Sequence, residues 1–263
     1  MERLLQETAR RLKDLPPGVA LTGSGVSAES GISTYRDKGG LWDTHPRGAG
    51  GGMLGVLAAY PEEAPRILSD FFGALKRAEP NAGHLALAEM ERAGRISAVI
   101  TQNVDDLHTR AGSRTVLELH GNVMRLRCTA CGKKERPRRE EFFELAVRLV
   151  DGISGGDLAG LLAQLPRCMG CGGTQRPDFV SFGEEVQDLA EAVRLSTEAG
   201  FMLVCGTSGL VHPAAALPGW AKERGAYIVE VNPRESALTP LADEVLRGSS
   251  AEILPRLLDL MTA

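Results

Sequence analysis

GVALTGSGVSAESGI, residues 18–32, reads as a short apolar strand that runs directly into a glycine- and serine-rich loop. Glycine tolerates positive φ and carries no side chain, so Gly23-Ser24-Gly25 lets a backbone approach a pyrophosphate closely. The third glycine of a dehydrogenase-type loop, due three positions after Gly25, is replaced by Ala28. No acidic strand end follows at the usual distance. Alone, the loop fits an ordinary turn as well as a dinucleotide site.

Support for a dinucleotide comes from the other end of the chain. There the apolar run FMLVC (201–205) leads into Gly206-Thr207-Ser208, and the next strand, AYIVEVN (226–232), ends at Glu230 or Asn232. A strand end at that distance hydrogen-bonds the adenosine ribose in dinucleotide sites. Asn232, at the extreme end of the strand, is the preferred contact and Glu230 the alternative. Between the two glycine-rich loops, ISAVITQNVD (96–105) and TVLELHGNV (115–123) also run apolar and then polar. Helical periodicity covers the N-terminal MERLLQETARRLKDL, the stretch 61–77, a segment opened by Pro80-Asn81 and ending near Gly94, and PAAALPGWAKERG (213–225). Strands alternating with helices predict an α/β fold with a Rossmann-like, doubly wound parallel sheet, whose ligands lie beyond the C-terminal strand ends.

Cys128-x-x-Cys131 and Cys168-x-x-Cys171 interrupt this pattern. Four thiolates close a tetrahedral zinc site with no open position, which organises structure and cannot activate water. The 36 residues between the pairs carry the helical stretches EEFFELAVRLV and DLAGLLAQL, which must loop out from the metal. The fifth cysteine, Cys205, sits in an apolar run and is expected in the core. Paired Cys-x-x-Cys suits metal ligation in a reducing compartment better than a disulfide framework.

The chain has 263 residues, 43% of them hydrophobic, a net charge of −4 and a sequence pI near 5.8. That balance gives no general electrostatic reason to bind nucleic acid. The basic segment Arg125–Arg139 is expected to be a solvated face. No stretch is apolar and long enough to cross a bilayer, and the N-terminus mixes both charge signs where a signal peptide has an apolar core. A cytoplasmic protein is expected, monomeric, without direct contact to nucleic acid or membrane.

Taken in order, GSGVSAESGISTYRDKGGLW, TQNVDDLHTRAGS, LELHGN, the paired Cys-x-x-Cys, RPDFVSFGE, GTSGLVHPAA and VN resemble the sirtuins, over Gly23 to Pro255. The resemblance implies a single catalytic unit, residues 1–263. Its large Rossmann-like domain would comprise 1–42, 80–123 and 175–263; its small domain would combine a helical module, 43–79, with a zinc module, 124–174. It implies an NAD-dependent protein-lysine deacetylase that releases nicotinamide and O-acetyl-ADP-ribose, with acyl-lysine proteins or peptides as partners and one structural Zn2+.

The same resemblance assigns residues. Gly23, Ser24, Gly25, Ser27 and Trp42 belong to the first NAD-binding stretch, with Tyr35 and Arg36 on its mobile loop. Gln102, Asn103, Val104 and Asp105 line the nicotinamide and ribose pocket; Asn103 and Asp105 also serve catalysis. His120 falls at the general base. Gly206, Thr207, Ser208, Asn232 and Ser250 match the adenosine side, and Val180, Phe182 and Gly183 flank the acyl-lysine, whose peptide adds as a strand. In the family's reaction the acyl oxygen attacks C1′ of the nicotinamide ribose, and a ribose hydroxyl, relieved of its proton, then attacks the resulting imidate. A histidine with a near-neutral pKa suits that proton acceptor.

Ser24 stands where the family usually has alanine, and Tyr35 where it has phenylalanine. ILSDFFGALKR (67–77) lacks the Tyr-x-x-Arg pair with which desuccinylase-type sirtuins grip an acidic acyl chain. Phe71, Phe72, Ala74 and Leu75 supply no cation, so neutral acyl groups, acetyl first, are expected. His84, His108, His45 and His212 receive local or loop roles, and Asp106 a solvated or capping one. Trp42 and Phe182 also fit the core. Two other functions are compatible with the pattern: mono-ADP-ribosyl transfer on the same fold, and a non-catalytic NAD-sensing module, which would not need His120.

Overall fold

The computed structural model describes residues 1–34, 40–48, 51–153 and 163–263. In chain order its strands are β1 (Gly18–Thr22), β2 (Ile96–Thr101), β3 (Val116–Glu118), β4 (Gly121–Cys128), β5 (Lys134–Glu135), β6 (Gln175–Phe179), β7 (Phe201–Cys205), β8 (Tyr227–Val231) and β9 (Glu244–Leu246). Six of them form one sheet in the order β3-β2-β1-β7-β8-β9, and every neighbouring pair is parallel. The order reverses between β1 and β7, the switch point at which doubly wound sheets bind dinucleotides.

Side chains alternate across a strand, and here both faces are covered. Ala20, Val99, Leu203 and Val229 point to one core, with Leu5, Leu12, Leu87, Met90, Leu254 and Leu257 from the helices Glu2–Lys13, Ala82–Arg92 and Ser250–Thr262. Val19, Leu21, Ile100, Met202, Val204 and Ile228 point to the other, against Ala192, Leu217 and Ala221 from the helices Leu189–Glu198 and Leu217–Glu223. This double burial is why the strands are continuous apolar runs. The helix Ala82–Arg92 starts where Pro80-Asn81 predicts: the Asn81 side chain accepts from the Gly83 and His84 amides, and the His84 ring accepts from the Asn81 amide. Histidine here occupies the capping-box position more often held by Glu or Gln.

The remaining strands form an antiparallel sheet, β5-β4-β6. The helices Ala64–Arg77 and Arg139–Ile153 pack together through Phe72 and Phe142, ring centroids 6.0 Å apart. The β4·β6 ladder runs from Gly121↔Phe179 to Cys128↔Gln175. It therefore starts before residue 124 and continues past residue 174, so the small sheet straddles the boundaries expected for the zinc module. The stretch DLAGLLAQL lies mostly outside the described residues.

The basic segment is not simply a solvated face. Arg125, Arg127 and Lys134 surround the buried Asp178 carboxylate at 2.7, 3.2 and 3.5 Å, and Arg125 also meets Glu118 at 2.9 Å. Burial alone would raise the Asp178 carboxyl, but hydrogen bonds from Arg125 and Gln187 hold it below its ordinary range.

Candidate active site

At the switch point the two glycine-rich loops interlock. The Gly23 amide donates to the Cys205 carbonyl (3.0 Å) and the Gly25 amide to the Gly206 carbonyl (2.8 Å). A Cβ on Gly25 would lie 2.7 Å from Gly206 Cα, and one on Gly206, whose φ is +58°, would lie 2.5 Å from the Val26 nitrogen. Glycine is required by this approach as well as by any ligand.

A cavity of about 990 Å³ opens over this junction. Gly23, Ser24, Gly25, Gly206, Thr207, Ser208, Asn232 and Ser250 are among the residues that line it. The two strand-end residues differ in their surroundings. Glu230 is 1% exposed and accepts from the Ser236 hydroxyl, from Thr239 (2.6 Å) and from Arg247 (3.1 Å). Asn232 lines the cavity, its amide nitrogen donating to the Thr207 carbonyl at 3.0 Å.

Trp42, Gln102, Asn103, Val104 and His120 line the same cavity, as do Val180, Phe182 and Gly183. The Gln102 amide donates to Thr207 Oγ1 (3.0 Å), tying the two loops. The Asn103 side chain donates to the Gly23 carbonyl and to Ser27 Oγ, both at 3.1 Å. Ser27 in turn donates to Asp105 Oδ2 at 2.7 Å, and Asp105 Oδ1 accepts the Leu107 amide at 3.0 Å. Ser27 and Asp105 are buried and are not among the residues that line the cavity; Ser27 links Asp105 to Asn103. Burial raises the Asp105 carboxyl, against the lowering effect of those two donors.

His120 Nδ1 lies 3.0 Å from the Gln102 carbonyl oxygen. A carbonyl only accepts, so Nδ1 carries the proton and Nε2 keeps its lone pair. Burial lowers the pKa of His120, opposed by the Gln102 bond, which leaves the ring neutral at pH 7. The His120 carbonyl accepts the Val180 amide at 2.8 Å, joining the base directly to the segment 180–183. Phe182 is 57% exposed and belongs to the cavity mouth, not the core. Tyr35 and Arg36 lie outside the described residues.

The four paired cysteines converge at the far end of β4. Their Sγ atoms all lie within 4.8 Å of one another, with Cys128···Cys171 at 3.6 Å and Cys131···Cys168 at 3.8 Å. A tetrahedron of Zn–S bonds of about 2.3 Å has edges of roughly 3.8 Å, so the spacing fits zinc and is too long for a disulfide. Backbone amides of Cys131 and Ala130 directed at Cys128 lower its thiol to about 6, favouring the thiolate a metal takes. Cys205 is buried in β7 and separate from this cluster.

The Sir2 family pattern matches residues 23–213. The chain belongs to the Sir2 family. It is similar to the NAD-dependent protein deacylases of Pyrococcus furiosus, 42% identical over 97% of each chain, and Aeropyrum pernix, 42% identical over 95% of each. Among solved structures it resembles a Sir2 homolog–NAD complex (38% identity, TM-score 0.77, 98% of this chain and 93% of that one). A Sir2–p53 peptide–NAD+ complex is similar at 32% identity and TM-score 0.77, over 97% of each chain.

Three residues of this sirtuin have roles that local sequence did not indicate. His84 Nδ1 accepts the Asn81 amide, so Nε2 bears the proton toward Ser27 Oγ, 3.4 Å away. Burial lowers its pKa to about 4 and keeps it neutral. His108 Nε2 meets Thr22 Oγ1 at 2.9 Å; Thr22 donates to Thr101, whose oxygen accepts the Asn103 amide. Two buried hydrogen-bond chains thus end on Asn103. Asp106 is neither solvated nor a side-chain cap: its side chain is 5% exposed and bonded to Arg136 and Asn122. The Asn81 bond is the local backbone contact expected of His84, whereas Ser27, Thr22, Asn122 and Arg136 are remote in sequence from the residues they bond.

Proposed function

We propose that this sirtuin is an NAD-dependent protein-lysine deacetylase that releases nicotinamide and O-acetyl-ADP-ribose. The observation that carries this is the single cavity in which the interlocked glycine loops, His120 and the 180–183 segment meet. The names of its relatives and the NAD and peptide bound in similar structures support the same reading.

Gly23, Gly25, Ser24, Thr207 and Ser208 present backbone and hydroxyl groups to the diphosphate, while Asn232 and Ser250 hold the adenosine side. NAD supplies an electrophilic ribose carbon once nicotinamide departs. Gln102 and Asn103 orient nicotinamide and its ribose, with Ser27 and Asp105 fixing Asn103 from behind. His120 Nε2 accepts the ribose hydroxyl proton. The acyl-lysine enters along Val180, Phe182 and Gly183, its peptide pairing as an added strand. Tyr35 and Arg36 would add cofactor contacts. Cys128, Cys131, Cys168 and Cys171 would hold one zinc ion with no open position, giving it a structural role. The catalytic unit divides into a large dinucleotide-binding part and a small helical and zinc-binding part. It works as a monomer, without direct nucleic-acid contacts, in a reducing compartment such as the cytoplasm. Among the described residues no helix is long and apolar enough to cross a membrane.

Neutral acyl groups are favoured. Leu68, Phe71 and Phe72 of the helix Ala64–Arg77 face the cavity without a cation among them. Arg176, also in the lining, is already engaged by Glu184 and the Phe179 carbonyl. Among the described residues of this helix that line the cavity, none would pair a succinyl carboxylate, which would be desolvated against it. Matched acetyl- and succinyl-lysine peptides test this with NAD: acetyl should be removed at least about tenfold more efficiently. Equal or better desuccinylation overturns the acyl preference, and a peptide that gains ADP-ribose instead of losing acetyl favours the transferase alternative.

A further inference from the structure

Asp106 ends the loop that begins at Gln102, and its backbone is in the left-handed region, φ 69°. Residues with a side chain adopt that conformation seldom, Asn and Asp somewhat more readily than others. Something must therefore hold it there. One carboxylate oxygen accepts Asn122 Nδ2 at 2.9 Å, and the other is bonded by Arg136 Nη2. Asn122 is itself fully buried and donates to Glu118 at 2.6 Å. The loop has a backbone tie as well, since the Val123 amide donates to the Val104 carbonyl at 2.9 Å.

Whereas Asp106 follows β2 of the parallel sheet, Arg136 comes from the small antiparallel sheet. It follows β5, a two-residue strand whose pairing with β4 is limited to Leu126↔Glu135 and Arg127↔Lys134. Between β4 and β5 lies the turn from Cys128 to Cys131, closed by the Gly132 amide on the Cys128 carbonyl (3.0 Å) and the Cys128 amide on the Lys133 carbonyl (2.9 Å). So short a strand fixes Arg136 only with help, from the cysteine turn and from the Gln175 side-chain amide, which donates to Glu135 at 2.9 Å. Nearby Arg139 is committed elsewhere, to the Leu75 and Lys76 carbonyls.

We infer that Arg136 is a positioning residue through which the four-cysteine module sets the loop that carries Gln102 and Asn103 into the cavity. Metal binding at one end of β4 is then coupled to dinucleotide affinity at the other by an ion pair that touches neither ligand. The inference rests on the cavity being the NAD site, and it is independent of which acyl group is removed.

The test uses Arg136→Gln and Arg136→Lys in the full chain, after confirming one zinc per molecule. Two readouts report on the loop: amide hydrogen exchange over residues 102–107, and calorimetric titration with NAD. Arg136→Gln should raise exchange in that segment about tenfold, leave β2 protected, and weaken NAD binding roughly threefold or more, with Arg136→Lys recovering most of both. Zinc-stripped wild type should show the same rise in exchange over 102–107. Should Arg136→Gln not fold, Asp106→Gly serves, because glycine adopts φ 69° unaided: adding Arg136→Ala to it should then change neither exchange nor NAD affinity further, and a further loss overturns the inference. Zinc-loaded Arg136→Gln with wild-type exchange and wild-type NAD affinity overturns the inference, as does stripped protein whose loop stays protected. If NAD fails to bind the wild type at all, the proposed function fails instead, and that outcome is separately visible.

Discussion

The ring of His120 is held by Gln102 through a backbone carbonyl, 3.0 Å from Nδ1, and that bond decides which nitrogen can act as a base. Gln102 also donates to Thr207 across the switch point. The residue bonded to His120 thus also ties the end of β2 to the loop after β7.

Burial lowers the pKa of His120 below the ordinary value of 6.5, so the base is available throughout the neutral range. Deacetylation at saturating NAD and peptide should be flat from pH 7 to pH 8 and fall as acid protonates Nε2, with a midpoint under 6.5. A profile of kcat against pH checks this; a midpoint above 7 would mean that the charged ring is stabilised in the complex.

Gly206→Ala should be severe. The new Cβ would lie 2.5 Å from the Val26 nitrogen and 2.7 Å from the Gly25 carbonyl carbon, all backbone, at a φ of +58° that disfavours alanine. We expect a loss of about 2 kcal/mol or more in stability and a marked weakening of NAD binding. Thermal melts with and without NAD measure both, and an unchanged melt would show that the loops separate readily.

Cys171→Ser should abolish stoichiometric zinc, whereas Cys205→Ala should leave one zinc per chain. Removing the metal should loosen β4, β5 and β6 while the parallel sheet persists, because each has its own apolar core. Elemental analysis and limited proteolysis distinguish the outcomes: cleavage confined to about residues 124–174 agrees, and global unfolding on chelation does not.

His84 makes the fold acid-sensitive. Its pKa falls from 6.5 to about 4 on burial, so between those values the unfolded chain binds a proton that the folded chain refuses. Stability from this residue is full above pH 6.5, declines as pH falls, and levels off below about 4. At 1.36 kcal/mol per unit the loss between pH 7 and pH 5 is about 2 kcal/mol. Urea unfolding should show that loss in the wild type and a smaller one in His84→Gln; equal losses would place the acid sensitivity elsewhere.

Much of the framework was legible because it is local. Apolar runs ending in Thr22, Thr101 and Asn232 marked strands with a polar end, and Asn81 marked a helix start by its own side chain. The cysteine spacing named its chemistry outright. What was hidden depends on partners far away in the chain. Asn232 was preferred over Glu230 only for its place at the strand end; that Ser236, Thr239 and Arg247 occupy Glu230 was not legible. Ser27 and Asp105 matched cofactor residues by motif, but their bonded chain to Asn103 was not legible. Arg125 to Arg139 read as a charged surface because Asp178 and Asp106, which bind it, belong to other segments.

The most direct test counts products. Wild-type protein with NAD and an acetyl-lysine peptide should yield nicotinamide, deacetylated peptide and O-acetyl-ADP-ribose in equal amounts, and His120→Ala should slow peptide deacetylation by roughly 100-fold or more. Folded, zinc-loaded wild type that leaves the peptide acetylated, or a His120→Ala variant as fast as wild type, would contradict the account.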